Sequence, residues 1–237
     1  MDDLALRDAV APAGFRPFAD GGTGLVHVSA HRALDSGSFR SGHAMLGSAL
    51  EHVAADSSRS VHLHWHQLVF ELELGHTADA AERFARHILP AMERGDAATD
   101  GPSALWRLAL ALPDGAPLPW AAARRQAART LSSESHAYAE LHALLALGGA
   151  RDHAGLLRYI QRRQLEPPGR KRDLLLGMAT ALESFAAEDW DAAATALAAV
   201  TPELHRLGGS RAQNALFERI AARAAERAES MPRSRAA

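Results

Sequence analysis

Beyond about residue 20, apolar residues recur at three- and four-residue intervals in short runs, and each run is broken by a cluster of glycine, proline or serine. This spacing sets one apolar stripe along a helix. It predicts helices over 23–35, 39–54, 59–74, 77–89, 102–112, 118–131, 134–147, 151–163, 171–187, 190–199 and 210–228. The first 20 residues carry Pro12, Gly14 and Pro17 and lead into Gly21-Gly22, so 1–20 reads as an arm with at most one short helix. A single domain is expected over 21–228, followed by a frayed tail over 229–237. The last helix, 210–228, is expected to cap the final apolar face.

The breaks between helices repeat. Gly37-x-Phe39-x-x-Gly42, Gly75-x-Thr77-x-x-Ala80 and Gly149-x-Arg151-x-x-Ala154 share one pattern, and Glu188, Trp190 and Ala193 repeat it with Glu188 in the glycine place. The intervals are 38, 74 and 39 residues, so the middle one spans two periods and contains a degenerate unit near Pro113-Asp114-Gly115. A glycine that ends one helix in a left-handed cap, followed by a small residue that lets the next helix pack closely, is the junction of a helical-repeat array. The fold class is therefore all-α, with about five helix pairs.

The junctions resemble those of tetratricopeptide repeats, lengthened from the usual period of about 34 residues. Five segments in order, HVSAHRALDSGSFRSGHAML, HLHWHQLVFELELGHTADAAERFARHILP, DGPSALWRLAL, YAELHALLALGGARDHAGLL and LGGSRAQNALFERI, resemble the later portion of the tetratricopeptide repeat protein 38 family from about His27 to Ile220. The resemblance implies a curved array whose first helices line the concave side; it does not supply a biochemical activity. Glu140 stands where the family usually has Asp, and Arg211 where it usually has His.

Counted back from the terminal glycines, His27 and His31 stand at −10 and −6 from Gly37, and His62 and His66 at −13 and −9 from Gly75. His136 and Glu140 stand at −13 and −9 from Gly149. These offsets form one helical stripe, so five histidines and one carboxylate are expected on a shared face. His64 points elsewhere, and the patch stops at Leu175, Ala179 and Leu182. Four imidazoles, or three with Glu140, suit a divalent zinc, copper or iron ion, with His27, His31, His62 and His66 as ligands. Alternatively His66 serves as general base and Glu140 as general acid, with Asp100 and Arg107 orienting a polar or anionic substrate and His136 contacting it. The same side chains also suit plain packing between repeats. His142 is expected at a helix interface, and His43, His52, His76, His87, His153 and His205 in solvent. Trp65, Trp106 and Trp120 are expected in the core.

Composition narrows the chemistry. The chain has no cysteine, so thiolate ligands, a thiol nucleophile and disulfides are excluded. Aromatic residues make up only 5%, and the apolar content is mostly alanine and leucine, which favours helix over strand. The net charge of −2 arises from well-mixed charges, which argues against binding nucleic acid or an anionic membrane. The acidic start, MDDLALRDAV, lacks a signal-like pattern, and a cytoplasmic protein is expected. Two functions fit. One is a His/Glu-lined groove that binds a small polar molecule, with or without a metal, and acts on it as an enzyme. The other is a scaffold that holds a peptide in that groove.

Overall fold

The computed structural model describes residues 22–53, 58–133 and 135–230. Among them the structure is all-helical, with no strand. The α-helices are α1 (Gly22–Asp35), α2 (Phe39–Leu50), α3 (Ser58–Glu73), α4 (Thr77–Arg83), α5 (Leu89–Arg94), α6 (Asp100–Ala111), α7 (Trp120–Ser132), α8 (Ala137–Gly149), α9 (His153–Gln164), α10 (Arg170–Ala186), α11 (Trp190–Val200) and α12 (Arg211–Ser230). The arm over 1–20 and the last seven residues of the expected tail lie outside the described residues.

Helices α1, α3, α6, α8 and α10 each pack on the next, and each has a companion helix beside it. The register between neighbours shows in side-chain bonds that step by one period. His62 bonds Asp100, and Trp65 donates to Ser103, both across 38 residues. Helices α6 and α8 lie at the centre, and their sequences carry buried residues almost all round, Asp100–Leu108 and Tyr138–Gly148. A helix apolar on most sides needs cover on most sides. On one of those sides the cover is α12.

That placement differs from a terminal cap. Helix α12 packs on α11 but also reaches α6 and α1. Leu216, Phe217, Ile220 and Ala224 are fully buried. Arg219, Arg223 and Arg227, spaced four apart on an adjacent face, bond Glu73 of α3, the Leu110 carbonyl and Asp114. Two of those anchors lie at or just beyond the C-terminal end of α6, where orphan carbonyls favour cations.

The helix beginning at Thr77 also runs past Pro90, where the periodicity predicts a stop. Proline removes an N–H and crowds the carbonyl four residues back. The chain widens into a π-helical turn at Phe84–Ile88 and resumes as α5 with Pro90 in its first turn.

The junctions differ from the expected register at one place. At these four junctions the left-handed residues are Gly37, Gly75, Arg151 and Glu188, at intervals of 38, 76 and 37 residues. Gly149 is instead the last residue of α8. A Cβ there would sit 2.2 Å from the Trp120 ring, so its glycine serves close packing. Arg151 and Glu188 take the strained left-handed conformation without glycine and bond each other at 2.5 Å.

Two apolar clusters hold the helices together. The larger spans α3 to α12; the smaller joins Val26, Ala30, Leu46, Ala49, Leu63 and Phe70 and holds α1 and α2 against α3. Helix α3 thus belongs to both. No described helix is long and apolar enough to cross a membrane.

Candidate metal centre

Helix α1 presents His27 and His31 one turn apart, and α3 presents His62 and His66 in the same way. Packing of α1 on α3 brings the two pairs together. Nε2 of His27 lies 3.0 Å from Nε2 of His62 and 2.9 Å from Nε2 of His31, and Nε2 of His66 lies 3.2 Å from Nε2 of His62. One nitrogen from each of the four rings falls within 4.8 Å of all the others.

These contacts do not make a satisfactory set of hydrogen bonds. A neutral ring nitrogen has a single in-plane direction, either a lone pair or an N–H. Nε2 of His27 and Nε2 of His62 each face two other Nε2 atoms at once. Four lone pairs directed at one central cation satisfy all of them together. Tetrahedral zinc–imidazole bonds of about 2.0–2.1 Å place the nitrogens about 3.3 Å apart; three of the pairs here lie at 2.9–3.2 Å and the rest within 4.8 Å.

The outer ring of contacts supports the same arrangement. Asp100 at the start of α6 takes Nδ1–H of His62 at 3.0 and 3.1 Å on its two oxygens. A carboxylate on Nδ1 leaves Nε2 as the lone-pair nitrogen and fixes the ring's orientation. The Trp65 ring stacks against His62, 5.7 Å away and tilted by 4°, and its N–H is held by Ser103. His66 is fully buried, while the other three histidines are half-buried.

Electrostatics keep most of the cluster neutral. Burial, then the neighbouring His62 and His31, lowers the pKa of His27 to about 4. Burial and His62 also lower His31, and burial with the other three histidines lowers His66 strongly. Burial disfavours charge on His62 too, but the bond and charge of Asp100 outweigh it and raise its pKa. Neutral imidazole is the metal-binding form.

Elsewhere, burial lowers His142 to about 4 and, with His87 and Arg83, lowers His64 to about 3. Unfolded histidine titrates near about 6.5. Between that pH and about 4 the unfolded chain therefore binds more protons than the folded one, and stability falls as the pH is lowered. His62 works in the opposite sense, contributing below 6.5 and losing its contribution as the pH rises through its raised value, but it is outnumbered. The urea midpoint of metal-free protein is expected to drop between pH 7 and pH 4.5; a flat midpoint contradicts this charge assignment.

The structure does not bring Glu140 or His136 to this cluster. His136 caps α8, its Nδ1 accepting from the Ala139 N–H at 3.2 Å. Glu140 faces α9 and α10, where it pairs with Arg163, accepts from the Tyr159 hydroxyl at 3.1 Å and meets Lys171 at 3.3 Å. The reason is the register of α8. Counting back from Arg151, the equivalents of His62 and His66 are Tyr138 and His142. Glu140 lies two residues from either, about 200° round the helix. His142 is buried as expected, with Nδ1 bonded to the Tyr138 carbonyl at 2.8 Å and its ring against Phe217.

Asp100 and Arg107 do lie beside the site. Asp100 bonds His62 of the cluster, and Arg107 on the same face of α6 lies over the Trp65 ring at 5.5 Å. Trp65, Trp106 and Trp120 lie in or against the main core. All six histidines expected in solvent have protein partners: His87 stacks on His64 at 3.7 Å, His43 meets Glu71 and His76, His153 meets Glu183 at 3.4 Å, and His52 and His205 bond the Ser48 and Pro202 carbonyls. No protein-family model, curated protein or solved structure matches the chain.

Proposed function

We propose that the protein is a tetratricopeptide-like helical-repeat metalloprotein that holds a first-row divalent cation on Nε2 of His27, His31, His62 and His66, and uses it to bind a small polar molecule. The observation that carries this reading is the convergence of four ring nitrogens within 4.8 Å, with Asp100 on the far nitrogen of His62. Imidazole ligands without thiolate or carboxylate favour zinc or copper over a facial-triad iron site, which includes a carboxylate. A bound cation supplies Lewis acidity, which is the enzymatic side of the proposal. In it His66 is a ligand, and its lone pair is no longer available for general-base work. The resemblance to the tetratricopeptide repeat protein 38 family implies an array of helix pairs, and the packing of α1, α3, α6, α8 and α10 in succession supports that reading.

The scaffold reading has less support. A peptide entering along α6 and α8 displaces α12, whose Phe217 and Ile220 are each fully buried at a benefit of about 1.5–3 kcal/mol.

Metal analysis of protein purified without an affinity tag tests the proposal. About one equivalent of zinc or copper per chain is expected, and its removal by a chelator should lower the unfolding temperature, with recovery on re-addition. No stoichiometric metal after equilibration with either ion, together with an unchanged unfolding temperature, overturns it.

A further inference from the structure

Next to the four histidines, between α3, α6, α8 and the start of α12, lies a layer of buried polar groups that the metal site does not use. Arg107 is 3% exposed, and its only hydrogen bond among the described residues runs from Nη2 to the Ala212 carbonyl at 2.6 Å. Its Nε–H is buried without a partner. Among the described residues no carboxylate pairs with it: Glu73 acts on it through space but is itself bonded to Arg219, and Asp100 is committed to His62. The Tyr138 hydroxyl is likewise buried without a partner, as is Nδ1 of His66.

These groups are electrostatic neighbours. Arg107 acts on His66, Tyr138 and His142, and Tyr138 also feels Asp100. Their hydrogen-bonding sense is the same. A His66 ring that gives Nε2 to a metal must carry its proton on Nδ1, so that nitrogen, Nε of Arg107 and the Tyr138 hydroxyl each offer a proton that has no acceptor.

Charge points the same way. A divalent cation on four neutral imidazoles keeps its full charge; Asp100 offsets half of it, and the buried Arg107 guanidinium adds another. An unpaired buried charge of this kind is strongly unfavourable unless a counter-charge enters. Gly208 and Gly209, both with positive φ, pack closely over Tyr138: a Cβ at Gly209 would lie 2.5 Å from the hydroxyl oxygen, so the backbone there covers the ring without supplying a side-chain acceptor.

We infer that Arg107, Tyr138 and Nδ1–H of His66 form a binding site for a small oxyanion, the carboxylate or phosphate group of the polar molecule that the metal engages. The inference rests on the metal-site reading for the His66 donor, while Arg107 and Tyr138 stand independently of it. Arg107 supplies the charge and Tyr138 a neutral donor that orients one oxygen.

Calorimetric titration of the full chain with succinate and, separately, with inorganic phosphate tests the site, on metal-free protein and on protein loaded with zinc. Binding of one of the two anions is expected, weakened about 10- to 100-fold by Arg107→Gln and less by Tyr138→Phe. Both variants should keep the metal content of the parent. Succinate binding without phosphate binding assigns a carboxylate, and the reverse a phosphate. Anion binding that Arg107→Gln weakens in a protein that takes up no metal upholds the anion site and removes the metal reading. Since Arg107→Gln perturbs a buried position, Tyr138→Phe, which keeps the ring, must also weaken binding. If neither anion binds the parent protein, or if a folded Arg107→Gln variant binds as well as the parent, the site holds only buried water and the inference fails.

Discussion

Alanine at His66 should lower metal affinity by more than about 100-fold, because it removes the one ligand that is wholly buried and therefore held in place without help from the metal. Asp100→Asn should keep the stoichiometry but weaken binding by about 10- to 100-fold. The amide still reaches Nδ1 of His62, but it no longer supplies the negative charge that raises the basicity of the opposite nitrogen. The comparison separates a metal centre from a packed cluster. In a packed cluster Asp100→Asn changes stability alone; at a metal centre its effect also appears in competition with a chelator of known strength. His31→Ala, on a half-exposed position of α1, provides a ligand deletion that leaves the core filled. If zinc and copper affinity is the same in all three variants as in the parent, the four histidines are a structural cluster.

Glu140→Ala should destabilise the fold by about 3–5 kcal/mol while leaving metal binding intact. Glu140 and Arg163 are each 7% exposed and paired, with Tyr159 between them accepting from Arg163 at 2.8 Å and donating to Glu140. Removing the carboxylate leaves a buried guanidinium whose remaining carboxylate partner is the partly exposed Glu166. Denaturant unfolding measures the loss. The outcome also decides the role of Glu140: a variant of near-normal stability that loses a metal-dependent property restores it as a functional acid.

The two predictions treat residues that the pattern of the chain places on one stripe. The structure divides that stripe, bringing His27, His31, His62 and His66 together and placing His136 and Glu140 elsewhere, for a specific reason. Helical periodicity is a local property, so His27 with His31, and His62 with His66, could be paired from their four-residue spacing alone. Joining helices requires a common origin, and the natural choice was the terminal glycine. At Gly37 and Gly75 the glycine is the left-handed residue, and the count holds. On α8 the left-handed residue is Arg151, so the count from Gly149 selected Glu140 and His136 in place of His142 and Tyr138. Only the contact with Trp120 reveals why a glycine stands at 149. The turn at Pro90 failed for a related reason, since a π-turn upstream absorbs the proline and no composition signal marks it.

The all-helical class, the 38-residue step and the two histidine pairs were determined by the sequence itself, because each follows from interactions within a few turns of one chain segment. The tertiary structure alone decided which pairs meet, that Asp100 orients His62, that Glu140 is occupied by Arg163, and that α12 covers α6 where Arg107 lies buried. Those outcomes depend on the rotation and stagger of one helix against another. Side chains tens of residues apart set these, and a shift of two positions turns a helix face through about 200°.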